Sequence, residues 1–120
     1  MNQQVRHFYE FGPFHLELSD RMLLRDGQFV PLTPKTFETL RVLVESGGRV
    51  LDKEELLQKI WPDTFVEEVS LAKKISILRK TLGEDLTHPY IETIPRRGYR
   101  FVASVREVRE DPPRHRQYEA

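Results

Sequence analysis

Apolar and polar residues alternate in the first third of the chain, and this pattern predicts a small antiparallel sheet. Phe14, Leu16 and Leu18 are separated by single polar residues, which is the period of a strand with one buried face. Asp26-Gly27 lies between the short apolar segments 22–25 and 28–32, and this dipeptide favours a tight hairpin turn. We therefore expect strands joined by tight turns before residue 33.

Beyond this sheet the apolar residues follow helical spacing, and two helices are predicted before residue 62. The first begins at Thr33-Pro34, where a hydroxyl can cap the helix and proline suits its first turn, and it ends before the glycine pair at 47–48. The second begins after Asp52, which has the spacing of a capping box with Glu55. Its apolar face ends with Trp61, and Pro62 stops it.

A third helix and a hairpin follow. The helix is predicted from Ser70 to Leu82 with Gly83 as its C-terminal cap, although capping-box spacing at Thr64 and Glu67 leaves an earlier start open. Residues 91–102 alternate around a turn at 95–98. The predicted fold is α+β, a winged helix-turn-helix with an N-terminal antiparallel sheet, three helices and a C-terminal β-hairpin wing. The apolar stripe of the third helix consists of Leu71, Ile75, Leu78 and Leu82.

The chain of 120 residues is long enough for one domain with its own core. We expect residues 1–7 to be a flexible N-terminus and residues 8–106 the folded domain. Residues 107–120 are polar and contain paired prolines, which predicts a disordered tail or the stub of a linker. There is no cysteine, and neither a signal peptide nor a membrane span is predicted, so we expect a cytoplasmic protein.

Acidic and basic residues number 19 each, so the net charge does not point to a partner. Their distribution is uneven, since residues 1–69 hold 8 Lys/Arg against 12 Asp/Glu, while residues 70–100 hold 7 against 3. The positive part of the chain therefore coincides with the third helix and the hairpin. A local positive field attracts a polyanion whatever the total charge.

The outward side of the third helix is the first candidate site. A helix fits the major groove of B-DNA, where lysine can donate to guanine and isoleucine can contact only an apolar group such as a thymine methyl. Taken alone, a basic helix face is more often simply solvated. The residues that project away from the apolar stripe are Lys73, Ser76, Ile77 and Lys80, and those that flank it are Ser70, Lys74, Arg79 and Thr81.

The tip of the hairpin is the second candidate site. Arg96 and Arg97 are adjacent in the turn, where they repel each other and add nothing to a core, and Gly98 can supply a positive φ. Arginine can enter a narrow minor groove or pair with a phosphate, and Arg100 points away from the apolar face of the hairpin. The alternative is a merely soluble turn, but a basic helix beside it favours DNA binding.

Three further residues are candidate phosphate contacts, each with a structural alternative. Trp61 carries an indole N–H that needs an acceptor, although its ring suits the core. Lys53 lies at the start of the second helix, where backbone N–H groups favour an anion, although a capped helix start explains it nearly as well. Thr93 is either a hydroxyl donor on the hairpin or simply a strand former.

No group of residues predicts catalysis or metal binding. The four histidines are scattered without metal-ligand spacing, and the pairs Glu54-Glu55 and Glu67-Glu68 point to different faces of a helix. We therefore expect no enzyme, no cofactor, no metal and no small-molecule substrate.

Several motifs together resemble the winged-helix DNA-binding domain of OmpR/PhoB-type bacterial transcriptional regulators, over about residues 9–105. The resemblance implies a four-stranded N-terminal sheet, major-groove reading by the third helix, minor-groove contact by the wing and head-to-tail binding of protomers to direct repeats. The motifs are Leu32-Thr33-Pro34 with Phe37 and Leu40, Glu55-Leu56-Leu57 with Ile60-Trp61, Leu78-Arg79-Lys80 with Leu82-Gly83, and above all Gly98-Tyr99-Arg100-Phe101.

The resemblance also implies roles for individual residues. The loop from Pro62 to Glu68 corresponds to a candidate contact for RNA polymerase. Ile77 departs from relatives that have a base-reading arginine there, and Pro95 stands where a wing arginine can occur. The implied major-groove set is Ser70, Lys73, Lys74 and Ile77, the phosphate set is Lys53, Trp61, Arg79, Lys80 and Thr93, and the wing set is Arg96, Arg97 and Arg100.

The predicted function is sequence-specific binding to double-stranded DNA by a bacterial transcriptional regulator. A protein-interaction module on the same scaffold is the alternative, because a fold does not fix a function and the first half of the chain is acidic.

Overall fold

The predicted N-terminal sheet, three helices and C-terminal hairpin are all present, which confirms the winged helix-turn-helix fold. The structure is a computed structural model, and it describes residues 6–110. None of the three helices within those residues has the length and apolar character that a membrane span requires. The elements are β1 (Arg6–Phe11), β2 (Phe14–Glu17), β3 (Met22–Arg25), β4 (Gln28–Val30), α1 (Pro34–Glu45), β5 (Leu51–Asp52), α2 (Lys53–Ile60), α3 (Glu68–Leu82), β6 (Ile91–Ile94), β7 (Gly98–Phe101) and β8 (Arg106–Glu110).

The first sheet has five strands in the order β4-β3-β2-β1-β8, and every neighbouring pair is antiparallel. The predicted turn at Asp26-Gly27 joins β3 to β4, and both residues have a positive φ, 49° and 82°. Positive φ at both central positions is the geometry of a type I′ turn, which matches the twist of the flanking strands. Leu16 and Leu23 lie opposite each other in the register, and both are buried.

The predicted C-terminal boundary is wrong for residues 107–110. Arg106–Glu110 forms β8, which pairs with β1 so that Glu110 lies opposite Arg6. Only Val108 of this strand is half-buried, and the cross-strand ion pairs Arg6–Glu110 and Arg106–Glu10 support its backbone ladder. A strand stabilised in this way is as polar as a linker. Its sequence therefore does not show the alternation of apolar and polar residues that predicts a strand. The flexible start predicted for residues 1–7 is wrong for Arg6 and His7, which belong to β1; residues 1–5 and 111–120 lie outside the described residues.

Local sequence signals set the helix ends, with one exception. The Thr33 hydroxyl accepts a hydrogen bond from the backbone N–H of Thr36 at 3.4 Å, which confirms the predicted cap of α1. Gly83 ends α3 with a φ of 70°, and its N–H bonds back to the last turn, so the predicted C-terminal cap is also confirmed. The predicted capping box of α2 is wrong, because Asp52 is the N-cap residue but its side chain makes no capping hydrogen bond.

The core lies between the first sheet, the helices and the hairpin. The predicted apolar stripe of α3 is buried throughout, and the helix begins at Glu68, between the two starts that the sequence left open. Aromatic rings join the sheet to the hairpin, with centroids 5.1 Å apart for Phe11 and Phe101 and 5.8 Å apart for Phe14 and Tyr90. Such edge-on pairs are favourable beyond their buried area, so the hairpin has a fixed position on the core.

Candidate nucleic-acid interface

The outward side of α3 presents cations that have no acidic partner within residues 6–110. Lys73 and Lys80 are exposed and Lys74 is half-buried. Among residues 6–110, no carboxylate lies within ion-pairing distance of these three ammonium groups. Ser76 is exposed and Ile77 is 45% exposed, as the helical spacing predicts. We call Lys73, Ser76, Ile77 and Lys80 the α3 face.

The turn of the wing has a backbone that the sequence analysis did not predict. The positive φ expected at Gly98 is wrong, since the residue with a left-handed backbone is Arg96, at a φ of 66°. Gly98 is required for another reason, because a Cβ there would lie 1.8 Å from the backbone oxygen of Leu51. Only glycine lets β7 approach β5 this closely. Arg96 itself is exposed, with no carboxylate at ion-pairing distance in the described part of the chain.

The wing tip is tied to the start of α2 through its backbone. The N–H of Lys53 donates to the carbonyl oxygen of Arg97 at 2.9 Å, and Asp52 lies opposite Gly98 in the β5–β7 pair. The Arg97 guanidinium is 3.4 Å from an Asp52 carboxylate oxygen, but both side chains are 60% exposed. An ion pair so exposed contributes little and exchanges readily for another anion. The tip therefore has a fixed backbone and accessible arginine side chains.

Arg79 and Thr93, both predicted phosphate contacts, bind each other in the structure. The Nη2 of Arg79 donates to the Thr93 hydroxyl at 2.9 Å and to the carbonyl oxygen of Ile91 at 2.8 Å. Its Nε lies 3.0 Å from a Glu84 carboxylate oxygen, in the geometry of an ion pair and not of an aligned hydrogen bond. Arg79 thus joins α3 to β6, a role that helical spacing alone does not reveal.

Glu84 is the residue that the sequence analysis missed. Its Oε2 accepts hydrogen bonds from the backbone N–H groups of Tyr90 and Ile91, at 2.6 and 2.8 Å. One carboxylate therefore binds both the end of α3, through Arg79, and the start of β6. This contact sets the position of the wing relative to the α3 face. The signal in the sequence was an acidic residue directly after the Gly83 cap.

Two further predicted contacts are occupied by the protein's own carboxylates. The Nζ of Lys53 lies 3.3 Å from a Glu68 oxygen, and the Nη2 of Arg100 lies 2.7 Å from a Glu92 oxygen. Glu92 and Arg100 are directly opposite in the β6–β7 register, so this pair follows from the hairpin itself. Within residues 6–110 there is no cluster of His, Asp and Glu that could hold a metal ion.

The end of α2 and the loop after it combine a packed and an exposed aromatic residue. Trp61 is half-buried, and the ammonium of Lys35 lies 5.9 Å from its ring centroid. The same ammonium donates to the carbonyl oxygen of Ile60 at 2.7 Å. Ser70, the first residue of the predicted major-groove set, is half-buried in the first turns of α3, whereas Phe65 in the preceding loop is 90% exposed.

The chain is similar to transcriptional regulators in sequence and in structure. A family model described as "Transcriptional regulatory protein, C terminal" matches residues 27–101. Transcriptional regulator HilA of Salmonella typhi is 40% identical over 97 residues, which cover 81% of this chain and 17% of HilA. The DNA-binding domain of Escherichia coli CadC matches with a TM-score of 0.73 at 30% identity, covering 87% of this chain and 97% of that domain.

A third match includes nucleic acid. The DNA-binding domain of Klebsiella pneumoniae RstA, solved in complex with the RstA box, has a TM-score of 0.67 and 29% identity, covering 78% of this chain and 95% of that one. The chain spans only 17% of the length of HilA, so that similarity concerns one part of a longer protein. The family model, in contrast, spans more than half of this chain. The chain therefore belongs to the OmpR/PhoB-type family of DNA-binding domains of transcriptional regulators.

Proposed function

We propose that this domain binds double-stranded DNA at specific sequences and directs a bacterial transcriptional regulator to them. The observation that carries the proposal is that four cations on α3 and at the wing tip, Lys73, Lys74, Lys80 and Arg96, have no carboxylate partner among residues 6–110. Such charges gain free energy at a DNA surface by releasing its condensed counterions. Membership of the family and the RstA complex with its DNA box support the same function.

In the proposed complex α3 lies in the major groove, which is wide enough for a helix, and the wing tip lies in the adjacent minor groove. Arg79 and Thr93 contribute by holding the wing against α3, and Arg100 contacts phosphate only by exchanging Glu92 for it. The base-facing set is Ser70, Lys73, Lys74 and Ile77, the phosphate set is Lys53, Trp61 and Lys80, and the minor-groove set is Arg96 and Arg97.

The direct test is fluorescence anisotropy of the chain with labelled DNA over a series of salt concentrations. Log affinity should fall linearly with log salt, with a slope of about −0.9 for each phosphate neutralised. Lys80→Ala should make that slope shallower by about one phosphate. Lys59→Ala is the matched control, because the Lys59 ammonium pairs with Glu55 on α2 at 3.6 Å. A protein-interaction module predicts no DNA affinity even at low salt, and that result would contradict the proposal.

Variants of α3 and of the wing distinguish recognition of the base sequence from electrostatic attraction to any DNA. Lys73→Ala should change which sequences are preferred, whereas Arg96→Ala and Arg97→Ala should weaken binding to all sequences alike. Selection of bound fragments from a random DNA pool measures both effects. If Lys73→Ala leaves preference and affinity unchanged, α3 does not lie in the major groove as proposed.

Phe65 supports a second contact, with a protein. It is 90% exposed in the loop between α2 and α3, and exposed aromatic residues are frequent anchors of protein interfaces. In a DNA-bound regulator we propose RNA polymerase as the partner of residues 62–68. Phe65→Ala should leave the DNA anisotropy curve unchanged and lower transcription in a purified polymerase assay. Equal transcription by the two proteins would show that Phe65 makes no such contact.

We also propose that two protomers bind direct repeats head to tail. A head-to-tail arrangement requires two half-sites in the same orientation and about one helical turn apart. Inverting one half-site should therefore abolish binding of the second protomer, which a stoichiometric titration measures. Equal occupancy of direct and inverted repeats would contradict this arrangement.

A further inference from the structure

The α3 face has lysines, which can donate to guanine, but it lacks the planar side chains that read purines with two parallel hydrogen bonds. The planar side chains are arginine, which forms bidentate hydrogen bonds to guanine, and asparagine and glutamine, which form them to adenine. The sequence of α3 contains no asparagine or glutamine, and its single arginine is Arg79. That guanidinium is already bound to Thr93 and Ile91. Lysine and serine are left as the hydrogen-bonding side chains on the outward side of the helix, and neither offers a planar pair of donors.

Beside its lysines, α3 exposes two apolar side chains. Val69 is 55% exposed and Ile77 is 45% exposed. Lys73 lies midway between them in the sequence, so the three residues follow one row along the helix at intervals of one turn. Eight residues of helix span about 12 Å, which corresponds to about three to four base-pair steps of B-DNA.

The thymine C5-methyl is the apolar group that the major groove presents, and no other base carries it there. The lysines Lys73 and Lys80 lie on either side of Ile77 along the helix and have no carboxylate partner among the described residues. Because cations surround this apolar side chain, the surface matches a DNA groove lined by phosphates better than it matches an apolar protein surface. The charge of the α3 face therefore favours a DNA methyl group as the partner of Ile77.

We propose that Ile77 and Val69 read thymine methyl groups at two positions of the target sequence, about three to four base pairs apart. This inference rests on the proposed DNA-binding function and names the base that the function recognises. It also explains how the helix can discriminate between sequences without a free arginine, because removing one contacted methyl group costs about three- to fivefold in affinity.

The test uses uracil, which lacks the methyl group and keeps the hydrogen-bonding edge of thymine. A target sequence selected from a random pool is prepared with each thymine replaced in turn by uracil, and anisotropy is measured at one salt concentration. We expect about three- to fivefold weaker binding at two positions three to four base pairs apart, and no change at other thymines. Ile77→Ala should abolish the uracil effect at one of these positions, and Val69→Ala at the other, while Ile77→Val should retain it.

Two results would overturn the inference while leaving DNA binding intact. One is equal affinity for every uracil-substituted target, and the other is a uracil effect that persists unchanged in both alanine variants. Loss of all salt-dependent binding would contradict the proposed function itself, so the salt series distinguishes the two failures. Because Ile77 and Val69 are both about half exposed, thermal melts of the variants should match the unsubstituted protein.

Discussion

Two charged surfaces of this domain use their charges in opposite ways. In the part of the first sheet formed by β2, β1 and the edge strand β8, which we call the sheet edge, basic side chains meet carboxylates from the same or a neighbouring strand. On the α3 face the lysines meet none among residues 6–110. The paired contacts at the sheet edge are Arg6 with Glu17 and Glu110, His7 with Glu107, His15 with Glu17, and Arg106 with Glu10.

This contrast shows why the total charge of the chain says little about its partner. Acidic and basic residues are equal in number, yet the acidic residues form their ion pairs mainly outside the α3 face. Paired charges nearly cancel at a distance, whereas unpaired cations leave a positive potential that extends over about a Debye length, ~8 Å at physiological salt. The proposed binding surface is therefore the place where such cations lie side by side, on the α3 face and at the wing tip.

The largest expected effect comes from displacing the wing, which lies beside the α3 face and is tied to α3 through Arg79. Gly98→Ala places a Cβ 1.8 Å from the Leu51 oxygen, so β7 must move away from β5. We expect the free energy of unfolding to fall by about 3 kcal/mol, measured by denaturant titration. Gly27→Ala is the control, since Gly27 has a φ of 82° but nothing within 4 Å of an added Cβ. It should cost only about 1 kcal/mol, and equal losses would contradict the steric explanation.

Reversing charges on the two surfaces tests the contrast directly. The double variant Lys73→Glu, Lys80→Glu should weaken DNA binding by about a hundredfold or more, because it replaces two attractions to phosphate by repulsions. The matched double variant Arg106→Glu, Arg109→Glu changes the net charge by the same amount on β8. It should alter affinity by less than about threefold in the same anisotropy assay. Similar losses in both would show that total charge decides binding.

Releasing a paired cation should sharpen the contrast. Glu92→Gln removes the carboxylate that lies 2.7 Å from Arg100 and frees this wing arginine for phosphate. We expect about two- to fivefold tighter DNA binding at low salt, with a stability loss below about 1 kcal/mol because the pair is exposed. Glu10→Gln, which removes the carboxylate paired with Arg106 at the sheet edge, should leave affinity unchanged. Unchanged affinity in Glu92→Gln would place Arg100 away from DNA.

The smallest effect concerns paired charges on α1 and depends on pH. A hydrogen bond from Arg41, with another from Arg21, holds the pKa of Glu38 below its ordinary value of 4.5. Because the pKa is lowered on folding, the stabilisation is present above about pH 4.5 and is lost as the pH falls through the folded-state pKa. Glu38→Gln should therefore cost about 1 kcal/mol near neutral pH and less near pH 3. A cost independent of pH would contradict this origin.

Much of the fold follows from local signals in the sequence. Thr33 and Gly83 set helix ends through their own backbone geometry, and the apolar spacing of α3 fixes which side is buried. Asp26-Gly27 specifies its turn because few residues tolerate a positive φ at both positions. These signals lie within a few residues of the structure that they determine.

The errors arise where a partner is distant in sequence. β8 is polar because ion pairs with β1 replace a buried face, and its partners lie about a hundred residues away. The inward orientation of Arg79 depends on Thr93 and Glu84, which the helical pattern does not include. Gly98 looked like a turn glycine because its close neighbour, Leu51, belongs to another part of the chain. Which residues touch DNA stays a prediction for the same reason.

The register that sets Glu110 beside Arg6 has a mechanical consequence. Tension applied to the chain after Glu110 reaches that end of the β1–β8 ladder first, so its bonds open one after another and do not share the load. The side chains of β8 itself bury little apolar area, since Val108 is its only half-buried residue. We therefore expect β8 to separate from β1 under tension before the other strands of the sheet separate.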